Sequence, residues 1–142
     1  MQELINLMIE NEKLKRERDN YNLGNLIEDL SKYPENANVS IEPFELYPVG
    51  FDSYRGYYCD LSIDYTLDGY KGLNCGQLLE EAKKSVGKTF TGYKGGDFKM
   101  TKNSVIWLAP YGRSTDVMLT GVKDRFGDGS YLELTWKIVE NE

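Results

Sequence analysis

The chain has 142 residues and a net charge of −6, a length that suits one modest domain with its own core. The acidic balance argues against a nucleic-acid polymer as partner, because such binding depends on neutralising many phosphates. No apolar run is long enough to span a bilayer and no signal-peptide pattern occurs, so we expect a cytoplasmic protein without membrane association.

Residues 2–21 contain neither glycine nor proline and are predicted to form a helix. Three heptads are marginal as an isolated helix, so we expect residues 1–23 to oligomerise the chain. The alternative is an amphipathic helix that packs on its own domain. The predicted seam alternates by three and four residues through Leu4, Leu7, Asn11, Leu14, Arg18 and Tyr21, and the asparagine would fix its register.

The next elements are short. Gly24 predicts a break before a second helix over Asn25–Lys32. Asn38–Phe44 alternates as a strand. Because Pro43 and Pro48 cannot donate to a strand ladder, the stretch to Gly50 is predicted to be an edge strand or an irregular connection.

Tyr57–Thr66 is predicted to be a strand with one apolar and one polar face. Its polar face carries Asp60 and Asp64, and we expect that face to be solvated rather than to form a metal or carboxylate site. Asn74 is predicted to cap a helix, with Gln77 as its capping-box partner.

The last third of the chain is predicted to be rich in strands, with a hairpin turn at Asp128-Gly129. In the final strand we expect Leu132, Leu134, Trp136 and Ile138 to face the core. The predicted strands are Lys88–Thr91, Asp97–Met100, Val105–Ala109, Val117–Val122 and Tyr131–Val139.

This order of elements predicts an α+β protein. N-terminal helices, including the short coiled coil, precede a mainly antiparallel sheet with one further helix. We expect residues 24–142 to form a single ligand-binding domain.

The chain lacks histidine, which is the commonest general base near neutral pH and a frequent metal ligand. The DxD, HExxH, GxSxG and P-loop patterns do not occur. Cys59 and Cys75 are isolated, and we expect both to be reduced and structural. We therefore expect a binding protein rather than an enzyme, with neither a cofactor nor a metal.

Two segments place an arginine beside aromatic residues. Ser53–Tyr58 contains Arg55, which can fork onto a phosphate or stack on a base. The alternative is a surface arginine whose stem packs on its tyrosine neighbours. Tyr111 and Arg113 lie on a predicted loop after an apolar strand. If Arg55 and Arg113 converge, they would clamp a diphosphate.

The segment Gly92–Phe98 offers charge, backbone amides and aromatic faces to an anionic ring compound such as a nucleotide. The alternative is a glycine-rich hairpin turn without a ligand. The candidate binding residues in and beside this segment are Phe90, Tyr93, Lys94, Gly95 and Gly96.

These segments, together with Leu30-Ser31-Lys32-Tyr33-Pro34 and the strand through Val39 and Ile41, resemble the phage anti-Thoeris sponge proteins. The resemblance covers most of residues 24–139. Proteins of that family sequester immune signals of the cyclic ADP-ribose type, some also hold cyclic oligonucleotides, and they assemble through N-terminal helices. The resemblance implies a phage-encoded homo-oligomer that binds a cyclic nucleotide in the host cytosol without cleaving it.

The resemblance also implies roles for individual residues. Arg55 and Arg113 would pair with phosphates, and Phe90 would stack on the base. Asp124 or Asp128 would accept a hydrogen bond from a ribose hydroxyl.

Two other functions stay open. The acidic domain is also suited to docking on a host defence protein as an inhibitor, with its 11 tyrosines as interface contacts. An enzyme that acts on a nucleotide with carboxylates alone is the third hypothesis, and it lacks an identifiable catalytic pair.

Overall fold

A computed structural model describes residues 2–5, 20–55, 59–91, 96–109 and 115–139. Residues 2–5 have a helical backbone, and residues 6–19 of the predicted N-terminal helix lie outside the described residues. The coiled coil therefore stays a prediction. Tyr21 and Leu23 pack into the main core, so core packing begins before residue 24.

The elements from residue 22 onward confirm the α+β class. Among the described residues the helices are α1 (Leu23–Leu30) and α2 (Cys75–Ser85). The strands are β1 (Asn38–Ser40), β2 (Tyr47–Ser53), β3 (Leu61–Thr66), β4 (Thr89–Thr91), β5 (Asp97–Lys99), β6 (Ile106–Leu108), β7 (Val117–Asp124) and β8 (Tyr131–Ile138).

Helix α1 begins one residue before Gly24, so the predicted break there was wrong. Asn22 and Asn25 form a reciprocal capping box, in which each side chain accepts from the other residue's backbone amide at 2.9 and 3.2 Å. Gly24 lies in the first turn and donates its N–H to the carbonyl oxygen of Lys102 at 2.8 Å. The glycine thus marks a close backbone approach rather than a helix boundary.

Helix α2 begins as the sequence predicted. The Asn74 side chain accepts from the amide of Gln77 at 2.9 Å, and the Gln77 side chain accepts from the amide of Asn74 at 3.0 Å. A cap of this kind stabilises a helix by about 1 kcal/mol. Leu78 and Ala82 are fully buried and turn the apolar face of α2 toward the core.

The large sheet has six strands in the order β1-β8-β7-β6-β3-β2. Two of its pairings, β1 with β8 and β3 with β6, are parallel, and the other three are antiparallel. The sheet is therefore mixed, because β1 and β3 each pair with a strand that lies much later in the chain. Strands β4 and β5 form a separate antiparallel pair. Pro48 lies on the edge strand β2, as its position in the sequence predicted.

The two edge strands of this sheet meet at one corner. In the turn from β1 to β2, Ile41 and Leu46 exchange backbone hydrogen bonds of 2.8 and 3.2 Å. The indole Nε1 of Trp136 on β8 donates to the carbonyl oxygen of Glu42 at 2.9 Å and fixes the turn. Beyond this bridge β1 and β2 diverge, because each pairs with a different neighbour.

The segment Leu73–Gly76, at the start of α2, joins the two diverging edges. A Cβ atom at Gly76 would lie 2.9 Å from the Cβ of Glu35, so this approach requires glycine. Three amides of the segment donate to carbonyl groups on both sides: Leu73 to Pro48, Cys75 to Ala37 and Gly76 to Glu35, at 2.8, 2.9 and 2.8 Å respectively.

Hydrophobic clusters cover both faces of the sheet. The main core packs α1 and α2 against one face. In the final strand Leu132 and Leu134 are buried in this core as predicted, whereas Ile138 is 63 % exposed, so its assignment to the core was wrong. Burial falls along β8 toward its C-terminal end. The second cluster comprises Tyr54, Val105, Trp107, Ala109 and Met118 and lies on the opposite face.

The substitution Gly72→Ala tests how the loop before α2 packs on β2. A methyl group at residue 72 would lie 2.6 Å from the Cβ of Tyr47, so the loop or the strand must shift. We expect the free energy of unfolding to fall by about 1–3 kcal/mol in urea denaturation. Lys71→Ala, in the same loop, is the control and should stay within about 0.5 kcal/mol of the parent. Unchanged stability of Gly72→Ala would contradict this packing.

Candidate ligand-binding site

Tyr54, in the segment that contains Arg55, contacts Thr115, which follows the segment that contains Arg113. Its Oη donates to the carbonyl oxygen of Thr115 at 2.6 Å and accepts from the amide of Thr115 at 3.1 Å. The hydroxyl of Thr115 donates to the carbonyl oxygen of Leu108 at 3.0 Å, which ties this point to β6. Tyr54 directly precedes Arg55, and Thr115 lies two residues after Arg113. The contact therefore holds the flanks of both arginine positions at one place.

A pair of stacked aromatic side chains lies beneath this contact. The rings of Tyr54 and Trp107 stack with centroids 4.7 Å apart and planes 9° from parallel. The indole Nε1 of Trp107 donates to the carboxylate of Asp60 at 2.9 Å, and the thiol of Cys59 donates to the same group at 3.7 Å. Because two donors satisfy this carboxylate, Asp60 can be buried at the sheet surface.

The full burial of Asp60 corrects the expected solvated face of β3. Strand alternation identified the correct face, since Asp60 and Trp107 lie on the side opposite the helices. It did not show that Tyr54 folds over that side and excludes water. Asp64, further along the same strand, is only half-buried.

Arg55 lies at an exposed bend just after β2. Of the other predicted site residues, five fall outside the described residues, so their predicted roles stay predictions: Tyr93, Lys94, Gly95, Tyr111 and Arg113.

The segment Gly92–Phe98 follows β4 and runs into β5. These two strands pair in an antiparallel arrangement, which is the hairpin geometry of the ligand-free alternative. Gly96 has a φ of +85°, a conformation that favours glycine. Phe90 pairs across the hairpin with Phe98 and packs against the main core. The ammonium group of Lys88 lies 4.8 Å from the centroid of the Phe90 ring. Phe90 therefore has a packing role that the sequence did not reveal.

Asp124 lies at the end of β7, and its carboxylate organises the connection to β8. It accepts from the amide of Gly127 at 3.1 Å and from the amide of Gly129 at 3.0 Å. Both glycines have positive φ values, so this tight loop depends on them as well. In the same loop, hydrogen bonds from Ser130 hold the pKa of the Asp128 carboxyl below its ordinary value. The described candidates Arg55, Phe90, Gly96 and Asp124 thus lie in three different parts of the fold: after β2, in the β4–β5 hairpin and at the end of β7.

Sequence reasoning missed a cavity that lies where β1 and β2 diverge. This cavity, the edge pocket, has a volume of about 320 Å³. The capping residues of α2 were visible in the sequence, but no local pattern linked them to two tyrosines on distant strands. The residues that define the edge pocket are Asn38, Tyr47, Gly72, Asn74, Gln77 and Tyr131.

Within the described ranges, no group of three or more Cys, Asp or Glu side chains is arranged to hold a metal ion. Neither cysteine forms a disulfide. The buried thiol of Cys75 donates to the carbonyl oxygen of Leu30 at 3.3 Å, and burial raises its pKa. None of the helices in the part of the chain that the structure describes has the length and apolar character needed to cross a membrane.

No protein-family model, curated protein or solved structure matches this chain. The resemblance to anti-Thoeris sponge proteins therefore stays a prediction from local segments. The chain's own contacts are the basis for any functional proposal.

The substitution Tyr54→Phe tests the contact between the two arginine segments. It removes the hydroxyl that bonds both backbone groups of Thr115 while keeping the ring on Trp107. We expect the free energy of unfolding to fall by about 1–3 kcal/mol, because partly buried backbone groups lose their partner. The fully exposed Tyr70 provides the matched control, Tyr70→Phe, which we expect to be neutral in the same denaturation assay. Equal stabilities of the two variants would show that the contact contributes nothing.

Proposed function

We propose that this protein is a non-catalytic binding protein that captures and sequesters a small cyclic nucleotide. Ligands of the cyclic ADP-ribose type and cyclic oligonucleotides both fit the proposal, which includes a role in phage immune evasion in the host cytosol. The observation that carries it is the contact between Tyr54 and Thr115, because this contact holds the flanks of the arginine segments together.

Two arginines near one another suit a ligand with two phosphates. A guanidinium group can form paired hydrogen bonds with phosphate oxygens, and its charge is retained at every physiological pH. Arg55 and Arg113 have these roles in the proposed site. The exposed bend at Arg55 is accessible to a ligand, while its neighbour Tyr54 is 4 % exposed and anchors the segment.

The stacked rings of Tyr54 and Trp107 beneath the arginine segments favour binding in a second way. Tyr54, Trp107 and Met118 belong to one packed cluster, so the loops start from a rigid surface. A rigid surface reduces the conformational entropy that a binding loop loses when it closes on a ligand. The proposed mechanism is burial without bond cleavage, in keeping with a chain that contains no histidine.

The β4–β5 hairpin supplies the remaining groups in this proposal. Tyr93 is the proposed stacking residue, and Lys94, Gly95 and Gly96 add charge and backbone amides. We leave Asp124 out of the proposed site, because its carboxylate already accepts from the amides of its own loop. Phe90 supports the hairpin from the core side.

A thermal-shift screen tests the function directly. The full chain is mixed with cyclic ADP-ribose isomers, cyclic dinucleotides and cyclic trinucleotides, and any ligand is recovered after denaturation. A ligand at one hundred times its Kd stabilises the folded state by about 2.7 kcal/mol, which raises Tm clearly. Stabilisation with recovery of intact ligand supports the proposal. Recovery of a cleaved ligand favours the enzyme hypothesis, and no stabilisation by any probe favours the protein-interaction hypothesis.

The arginine assignment makes a quantitative prediction for the ligand found in that screen. Arg55→Ala and Arg113→Ala should each weaken binding at least roughly tenfold in calorimetry, since each removes charge-assisted hydrogen bonds. Lys102→Ala removes one positive charge at an exposed turn and is the matched control. Unchanged affinity in both arginine variants would remove these residues from the site.

The proposal also includes a homo-oligomer that forms through the N-terminal helix. The double variant Leu7→Asp, Leu14→Asp places two charges in the predicted seam. We expect light scattering to show a shift from oligomer to monomer, because buried charges oppose helix association. Lys13→Asp lies outside the seam and should leave the mass unchanged. An unchanged mass in the double variant would exclude this interface.

A further inference from the structure

We propose that the edge pocket is a second binding site, and that it takes a neutral ring compound with carbonyl or hydroxyl groups along one edge. A nucleoside base and a sugar share this chemistry. The proposal is independent of the proposed function, since none of the described residues of the arginine segments lines this pocket.

Two tyrosines line the pocket, and each packs against a neighbouring group. Tyr47 lies against two glycines in the loop before α2. Cβ atoms at Gly69 and Gly72 would lie 3.3 and 2.6 Å from the nearest atoms of Tyr47. Tyr131, at the start of β8, carries the guanidinium of Arg125 with its central carbon 3.9 Å from the ring centroid. Both rings are therefore held before a ligand arrives, which lowers the entropic cost of stacking on them.

The polar groups of the pocket are mainly neutral donors. In the capping box, the side-chain oxygens of Asn74 and Gln77 each accept from the other residue's backbone amide. This leaves their NH₂ groups for a ligand, and among the described residues neither NH₂ has a hydrogen-bond acceptor. Asn38 adds a third, exposed amide side chain. Groups of this kind match the carbonyl and ring-nitrogen acceptors of a base or the hydroxyls of a sugar.

The pocket is uncharged. Of the described residues that line it, none is ionised at neutral pH. The neighbouring cation Arg125 is engaged by Glu42 and Glu133, each at 3.2 Å. Burial, followed by the influence of Tyr131, Glu45 and Glu42, raises the pKa of the Tyr47 phenol, so this group remains a neutral hydroxyl.

These surroundings disfavour a phosphate. The amides that a helix N-terminus normally offers to an anion are occupied, since Cys75 and Gly76 donate to the carbonyl oxygens of Ala37 and Glu35 in the loop before β1. Glu42 and Glu45 place negative charge beside the pocket and would repel an anion. A cavity of about 320 Å³ is in the range of small-molecule sites and accommodates one ring ligand.

The test is an NMR titration of the full ¹⁵N-labelled chain with uridine, methyl glucoside and inorganic phosphate in separate samples. We expect the backbone amides of Gly69, Gly72 and Leu73 and the side-chain NH₂ groups of Asn74 and Gln77 to shift. A response to uridine alone assigns a base, and a response to the glucoside alone assigns a sugar. No response to either, or a larger response to phosphate, overturns the proposal.

Two variants connect the response to the pocket without disturbing the capping box. Asn38→Ala and Tyr47→Phe each remove one neutral hydrogen-bonding group, and we expect each to raise the Kd of the responding probe roughly three- to tenfold. Asn103→Ala and Tyr70→Phe make the same changes at exposed residues that do not line the pocket, and they should leave Kd unchanged. Equal Kd values in the pocket and control variants would overturn the assignment. Arg55→Ala should retain the full response, which separates this site from the arginine site.

Discussion

Where β1 and β2 diverge, backbone carbonyl groups on β2 and in the loop before β1 need donors, and the segment Leu73–Gly76 supplies them. Unpaired backbone groups at a sheet edge are costly when buried and prone to non-native pairing when exposed. The three amides of this segment satisfy carbonyl groups from β2 to the loop before β1, so these groups are neither buried without a partner nor open to non-native pairing. Helix α2 is thereby fixed across the sheet, and Leu78 and Ala82 reach the main core.

The same junction determines which chemistry is available on each side of the molecule. Because the first amides of α2 bind protein carbonyl groups, this helix start offers no anion site, and the adjoining edge pocket is neutral. The basic segments instead adjoin the opposite face, where Tyr54 stacks on Trp107. The two faces of β6 differ in the same way, with Ile106 buried in the main core and Trp107 in the second cluster. The neutral edge pocket and the proposed arginine site therefore share none of the described residues.

Features that depend on residues close in sequence were predictable. The capping box of α2 follows from the spacing of Asn74 and Gln77, and the alternation of apolar residues located β7 and β8. Local patterns also located the antiparallel β4–β5 hairpin. They failed at Gly24, where a distant residue, Lys102, supplies the carbonyl group that the glycine amide binds. They also failed at Ile138, because alternation continues along β8 whereas burial ends before this residue.

The sequence by itself thus determined the α+β class, most element positions and the segments in which cations accompany aromatics. Only the tertiary structure decided the two parallel pairings, the burial of Asp60 and the contact of Tyr54 with Thr115. The edge pocket belongs to the same group, since Tyr47 and Tyr131 meet there from distant parts of the chain. The physical reason is that pattern and propensity act over a few residues, whereas strand order and side-chain convergence depend on which distant surfaces exclude water together.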